Sequence, residues 1–378
     1  MRCLLVVPSG WPFPHLSSGL EPLGAVCERF LLSYSMVREC WSDGGRSQHR
    51  RNEDLRALVE RPALRPHLAV FVAYDDCLEV ETLKAMRRAG IRTVCLHVDM
   101  AGQWYRILRT GPYFDFVGCA QKANLEKLRA RGVNAEFLPM AAMDRPLPDV
   151  TACEEARYIG SPQPFRVMAL EKAAKIAPIG VYGRWFSPAS LEPPLSMSFR
   201  ARCAKARFDL KYLLAKIQAE KWMGRKPLSP MKGIHWEELR KCWRGTAAEE
   251  EIPSLVAGAR LNLGFTYMSG RPFSPGEKRQ CRLREFEIPL FGRHGPYLTQ
   301  DFDELRELYK PDEEVLVWNT LGEFEDKIKQ VFSNGRWAAE VARKGREKII
   351  AKHLWRHRFL EIFRALGIRP EEPVRQVG

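Results

Sequence analysis

The sequence predicts an α/β protein of two domains, each a parallel sheet covered by helices. Three observations predict it. Short apolar strands alternate with helical segments about four times before Met143, the rhythm of strands joined by crossover helices. A proline-rich stretch, MDRPLPD, interrupts that rhythm at residues 143–149. The same alternation then restarts at ARYIGS, residues 156–161.

The whole chain bounds the reading. At 378 residues it can hold two domains with ordinary cores, expected at 1–148 and 149–350, with 351–378 as a closing helix and tail. Hydrophobic content of 45% and charged content of 28% are those of a globular protein rather than a disordered one. No apolar run approaches the ~20 residues needed to span a bilayer, and CLLVV before Pro8 reads as a first strand rather than a leader. Ten cysteines without CxxC spacing read as reduced thiols, which points to the cytoplasm and gives a structural zinc no support. The net charge is +14, and residues 187–245 hold 13 Lys and Arg against five Asp and Glu, so +8 of it sits in one segment. No nucleic-acid-binding motif accompanies that charge, so nucleic acid is not an expected partner.

Taken in order, Arg2 to Val7 is a strand ending in the loop PSGWPFPHLSSG. Ligands of α/β folds sit beyond the carboxyl ends of strands, so Gly10, Trp11 and His15 either face a substrate or merely shape the connection. Residues 19–40 and 53–59 read as helices. HLAVFVAYDD reads as a buried strand, and its Asp75 and Asp76 either stand at a site or cap the helix 79–89. In IRTVCLHVD, His97 and Asp99 are two apart and share one strand face, an acid/base pair or a core histidine beside a turn. Strand 114–120, helix 121–131 and strand 133–143 complete the first domain.

In the second domain ARYIGS is a strand with a Gly-Ser turn entering a helix. Such a turn offers free amides and a positive dipole end to a diphosphate, with Arg166 adding a charge-assisted bond. PIGVYGRWF is the next strand, ending in Gly183-Arg184-Trp185. In residues 187–245, Phe199, Cys203, Ala206, Leu210, Leu213 and Ile217 fall on one helical face. Three readings fit this segment: an inserted helix packing on the body, a contact with an anionic membrane surface, or a holder for an anionic acceptor or partner. LNLGF is a further strand carrying Asn262. The segment RLREFEIPLFGRHGPYL, residues 282–298, places Arg282 and Arg284 beside Glu285 and Glu287. Its composition suits phosphates and sugar hydroxyls, or equally a surface helix with internal ion pairs.

The succession YIGSPQPFR, VYGRW, LNLGF, REFEIPLFG, DELRELYKPDEEV and HLWRHRF resembles, in the same order, the CgeB-type (spore-maturation) glycosyltransferases, relatives of the GT-B class. The resemblance implies two Rossmann-like domains facing each other across a cleft. It implies transfer of a glycosyl group from a nucleotide-diphosphate sugar to an acceptor hydroxyl, with no cofactor besides the donor substrate and no resident metal. It places Glu287 on the donor ribose, Gly292 close to the donor, and Arg282 or Arg284 on the diphosphate, and leaves Glu285 as a neighbouring acid without an assigned role. Gly160, Ser161, Arg166, Gly183, Trp185 and Asn262 complete the expected donor side. Gly10, Trp11, His15 and Asp76 form the expected acceptor side, with Asp75, His97 and Asp99 as candidate catalytic groups. LFGRHG stands where relatives carry small residues, which leaves the choice of donor open. The alternative is a non-catalytic GT-B-like protein that binds a nucleotide or glycan in a surface-assembly system. Peripheral contact with a membrane through 187–245 stays open in either case.

Overall fold

The structure, a computed structural model, describes residues 1–8, 12–33, 46–98, 100–184, 199–224, 236–270, 272–273 and 276–369. Strand β1 (Arg2–Pro8) is buried from Cys3 onward, as an apolar run in a covered parallel sheet must be. Helix α1 (Pro12–Leu20) follows. The sequence reads as helix from 19 to 40, but Gly24 takes a left-handed φ of 76° and the chain enters strand β2 (Val26–Ser33), parallel to β1. An edge strand with one flank in water tolerates the mixed pattern VCERFLLS, which a helix would also accommodate; periodicity does not separate the two.

The chain continues through α2 (Arg46–Glu60), β3 (Leu68–Phe71), α3 (Val80–Arg88), β4 (Arg92–His97), β5 (Phe116–Cys119) and β6 (Ala135–Phe137). After β7 (Ala156–Ile159), α4 (Pro164–Ala174) and β8 (Ile179–Tyr182) come two consecutive helices, α5 (Phe199–Lys211) and α6 (Leu213–Met223). Then follow β9 (Leu261–Leu263), β10 (Tyr267–Ser269), β11 (Lys278–Arg279), α7 (Arg284–Phe291), β12 (Tyr297–Gln300) and β13 (Leu316–Trp318). Three helices end the chain: α8 (Leu321–Ser333), α9 (Gly335–Lys352) and α10 (Trp355–Leu366).

These elements form two compact units, Met1–Asp144 with Ser196–Trp222 and Leu354–Gly378, and Arg145–Leu195 with Met223–His353. The first unit holds a six-stranded parallel sheet in the order β2-β1-β3-β4-β5-β6. Its core gathers Val6, Phe71, Trp104, Val117 and Leu128. Helix α10 closes this unit: the Trp355 amide donates to the Ala142 carbonyl at 3.1 Å, and the Arg358 Nε donates to the Pro139 carbonyl at 2.8 Å. It lies so close to α1 that a Cβ on Gly19 would sit 2.6 Å from the Trp355 Cβ, so only glycine fits there.

Helices α5 and α6, expected within an insertion of the second domain, group with the first unit. The tie is Tyr212, buried at the break between them, whose hydroxyl donates to Asp75 Oδ2 at 2.7 Å. Ala219 adds to the first core, with Ala215 packed against it. The stripe Phe199, Cys203, Ala206, Leu210, Leu213 and Ile217 faces solvent, against the first of its three readings, that of a helix packing on the body.

The second unit holds a five-stranded parallel sheet, β13-β12-β9-β7-β8, and an antiparallel pair of β10 with β11. Its core is aromatic: Phe165 stacks on Trp318 with centroids 6.1 Å apart, and Phe265 meets both. Residues Glu285 to Phe291 of α7 are all buried, and Pro289 lies within the helix one turn before its end at Gly292.

Two stability outcomes follow from these contacts. Gly19→Val should destabilise the protein by about 1–3 kcal/mol in urea unfolding, the cost of overpacking a tight helix crossing. Tyr212→Phe should lose about 2 kcal/mol, the value of a buried hydrogen bond to a carboxylate, while far-ultraviolet circular dichroism stays that of the native fold.

Candidate functional site

In the second sheet the chain runs outward from β7 to β8, then returns to place β9 on the other side of β7. Neighbouring loops leave in opposite directions at such a reversal and open a crevice beyond the strand ends, where ligands of α/β folds bind. A cavity of about 180 Å³ lies there. It is lined by the ends of β7 and β9, by Arg166 of α4, and by Arg282, Arg284, Glu285 and Ile288 at the start of α7.

Each lining element has a local reason. After Ile159 the strand ends in Gly160-Ser161 and α4 begins at Pro164, a residue whose missing N–H costs nothing in a first turn. A Cβ on Gly160 would come within 2.4 Å of the Tyr158 hydroxyl, so glycine leaves room for that ring. At the end of β9, a Cβ on Gly264 would overlap the Tyr297 hydroxyl at 1.9 Å. Two glycines therefore let two tyrosines lie across the strand ends.

Three guanidinium groups and one carboxylate line the cavity. Arg166, 5% exposed, donates from Nη1 to the Tyr158 hydroxyl at 3.0 Å and to both the carbonyl and hydroxyl of Ser161 at 3.2 Å. Its Nε is buried and has no hydrogen-bond partner among the described residues. Arg284 pairs with Glu287 at 2.8 Å. Glu285 accepts from the Tyr297 hydroxyl at 3.0 Å and from the Arg282 amide at 2.5 Å. Burial pushes the Glu285 carboxyl up to about 6, against the opposing pull of Arg282. Burial also raises the Tyr158 hydroxyl, while the cavity's three arginines pull it back.

Of the residues singled out in the sequence, Gly160, Ser161, Arg166, Arg282, Arg284 and Glu285 line this one cavity. Glu287 is not part of the lining; it is buried, its carboxyl is raised by burial, and it pairs with Arg284, which does line the cavity. Gly292 caps the far end of α7 with an ordinary φ of −62°. Gly183 lies beyond β8, where its amide donates to Gly245 and its carbonyl accepts from the Trp243 indole at 2.9 Å. Asn262 is buried and donates to the Val256 and Gly295 carbonyls, which ties β9 to its surroundings rather than to a ligand. Gly10, Trp11, Asp99 and Trp185 lie outside the described residues.

The first-unit candidates are engaged. Asp75, read as either a site carboxylate or a cap of the following helix, accepts from the Arg109 and Thr110 amides at 2.8 and 2.9 Å, and from the Thr110 and Tyr212 hydroxyls at 2.6 and 2.7 Å. Burial still raises its pKa over the pull of those bonds. Asp76 pairs with Arg106 at 2.5 Å. His97, which the sequence leaves as either an acid/base partner of Asp99 or a core histidine, is fully buried against the Tyr74 ring; burial and the nearby Arg106 charge hold its pKa down to about 3, so it stays neutral in the core. His15 is buried in α1. The sequence also carries one Asp-x-Asp, Asp301-Phe302-Asp303, but Asp301 accepts from Arg306 Nε at 2.8 Å and Asn319 at 3.3 Å, and Asp303 opens a short helix.

Sequence reasoning passed over Tyr158, Gly264, Phe265 and Tyr297, which complete the lining. Tyr158 could be found from strand alternation, since it shares a face with Gly160. Tyr297 could not: its place over Gly264 depends on the pairing of β12 with β9, in which Leu298 faces Leu263.

The raised Glu285 carboxyl has a measurable sign. A folded-state pKa above the ordinary 4.5 means the folded state holds the proton more tightly, so its contribution to stability falls as pH rises from about 4.5 to about 6 and stays lost above. Glu285→Gln should therefore be more stable than the parent near neutral pH by up to about 2 kcal/mol, with the gap closing below pH ~4.5 in urea titrations.

Comparisons with known proteins follow the same lines. Residues 211–364, less than half of the chain, match a family model described as glycosyl transferase-like. No curated protein sequence matches the chain. Among solved structures, HepE from Anabaena in complex with UDP-glucose has a TM-score of 0.56 at 10% identity, covering 97% of this chain and 99% of that one. Sucrose-phosphate synthase from Thermosynechococcus elongatus has a TM-score of 0.57 at 11% identity, covering 97% and 98%. The trehalose-6-phosphate phosphatase N-terminal domain from Candida albicans has 0.55 at 9%, covering 97% and 96%. At such identities the likeness speaks for architecture alone, and that architecture is GT-B: two α/β units with parallel sheets of six and five strands, the second with a basic cavity at its strand reversal.

Proposed function

We propose that this protein is a glycosyltransferase that binds the diphosphate of a nucleotide sugar in the cavity at the β7/β9 reversal. The observation that carries the reading is the Arg166 guanidinium. It is buried at the mouth of a Gly-Ser turn, is fixed by Tyr158 and Ser161, and keeps a buried Nε donor without a partner among the described residues. An anion is the natural complement of such a group, since a buried donor left unmatched costs about 1–3 kcal/mol. Arg282 and Arg284 add charge, and the amino ends of α4 and α7 add positive dipole ends. The glycosyl transferase-like family match and the UDP-glucose bound by HepE support the same ligand class.

The cavity is smaller than the ~300–1,000 Å³ of pockets that enclose a whole drug-sized ligand. It suits the diphosphate, with base and sugar extending beyond it. In the reaction the bond from the sugar's anomeric carbon to the diphosphate oxygen breaks, the nucleoside diphosphate leaves with the electron pair, and the acceptor hydroxyl forms the new bond as its proton passes to the departing diphosphate. Arg166, Arg282 and Arg284 neutralise the charge that grows on the leaving group, work that needs no resident metal. Glu285, held by Tyr297 and the Arg282 amide, fixes the loop that carries Arg282. The ribose role of Glu287 is retained as a proposal that acts beside Arg284. The CgeB-type assignment is likewise proposed, on the ordered motifs from YIGSPQPFR to HLWRHRF. The described cysteines are free thiols, which suits action in the cytoplasm. No helix among the described residues is long and apolar enough to cross a membrane.

A thermal-shift screen with UDP, GDP, CDP, dTDP and their sugar conjugates tests the reading. One nucleotide at ~100 times its dissociation constant should stabilise the protein by roughly 2.7 kcal/mol. Arg284→Ala, whose side chain is partly exposed, should weaken that ligand about 10- to 100-fold, as expected for the loss of one charge-assisted bond. No response to any of these ligands by the folded parent would sink the proposal.

A further inference from the structure

We propose that helices α5 and α6 form a peripheral docking surface for an anionic membrane. Helix α6 is apolar on two opposite faces. One face, with Ala215 and Ala219 following Tyr212, packs into the first unit. Helical spacing puts Leu210, Leu214 and Ile217 on the face opposite Tyr212 and Ala219. That face is bare: Leu210 is 70% exposed and Leu214 77%, and Phe199, at the start of α5, is 78% exposed. Apolar side chains gathered on one exposed surface mark a contact site.

Charge identifies the cover. Residues 199–223 carry seven Lys and Arg against two Asp and Glu. Arg207, Lys211 and Lys221 are exposed beside the leucines. Next to them a groove of about 550 Å³ is lined by Leu108, Leu210, Leu213 and Leu214 together with Arg109, Arg131 and Lys211. Acyl chains over leucines and phosphates over guanidinium and ammonium groups match that arrangement, with each basic residue near an anionic leaflet adding about 1 kcal/mol. A second copy of the chain would bring two such basic surfaces together in a protein of net charge +14, which the repulsion of like charges opposes. Tyr212 and Ala219 tie the helices to the first unit from the opposite face.

Sedimentation of the full chain with vesicles tests this, using phosphatidylcholine alone and equal parts of phosphatidylcholine and phosphatidylglycerol. The parent should bind the anionic vesicles, ignore the neutral ones, and release as salt rises. Arg207→Gln/Lys211→Gln/Lys221→Gln should bind about 100-fold more weakly, at roughly a factor of five for each basic residue. Leu210→Ser/Leu214→Ser/Ile217→Ser should lose binding about 10-fold or more. Circular dichroism and unfolding midpoints near the parent's would show that both variants remain folded, as substitutions of exposed side chains allow. The proposal is overturned if the folded parent ignores anionic vesicles, if it binds both kinds equally, or if either variant binds like the parent. It is also overturned if light scattering shows a dimer that the leucine variant converts to monomer without any vesicle binding, because the bare face then belongs to a second copy.

Discussion

A buried guanidinium must be matched, and much of the second unit's architecture around β7 serves that need for Arg166. Taking a charge out of water is costly unless hydrogen bonds replace the lost hydration. Tyr158 and Ser161 supply part of the replacement, and both sit where they do because Gly160 leaves space for the tyrosine ring. The reversal of strand order around β7 opens the crevice into which this group projects. Gly264 and Tyr297 repeat the device on the neighbouring strand, and Tyr297 in turn holds Glu285 beside Arg282. A carboxylate placed among arginines would ordinarily be driven toward ionisation; here burial outweighs them and lifts it to about 6.

The first unit uses its polar groups differently. At the end of β3, Asp75 gathers two amides and two hydroxyls, and one of those hydroxyls belongs to Tyr212, 137 residues further along the chain. A carboxylate so fully bonded holds structure. It joins the loop after β3 to the loop around Thr110 and to the break between α5 and α6. His97 makes the same point from the opposite direction: with burial disfavouring its charged form, it serves as a neutral ring packed on Tyr74. The same side-chain types that suggest acid/base chemistry in a sequence can thus serve the fold once they are desolvated, one by its hydrogen bonds and the other by its packing.

The apolar stripe of α5 and α6 shows how a correct pattern can receive the wrong partner. Helical spacing does group Phe199, Leu210, Leu213 and Ile217, but amphipathic spacing only says that such residues share a face. It does not say which face meets the protein. Tyr212 and Ala219 decide that, because a single buried hydrogen bond and two small side chains allow close approach to the first unit, while the leucines turn outward.

The sequence by itself pointed to two α/β units, since short apolar strands such as LLVV and LAVF before the proline-rich stretch, and IGVY and LNL after it, alternate with helical segments, the pattern of parallel sheets covered by helices. It also marked Gly160-Ser161, Arg166 and the Arg282–Glu285 segment as polar groups at strand ends and helix starts, because turn chemistry and charge are local properties. It left β2 disguised as a helix, since an edge strand lacks the second buried face that makes strands recognisable. Only the tertiary structure decided which of the marked groups share a cavity, because that depends on β9 returning beside β7 across more than a hundred residues of chain and on β12 pairing with β9. Burial was decided there too, and it turned Asp75 and His97 into structural groups while leaving Arg166 with a donor to offer.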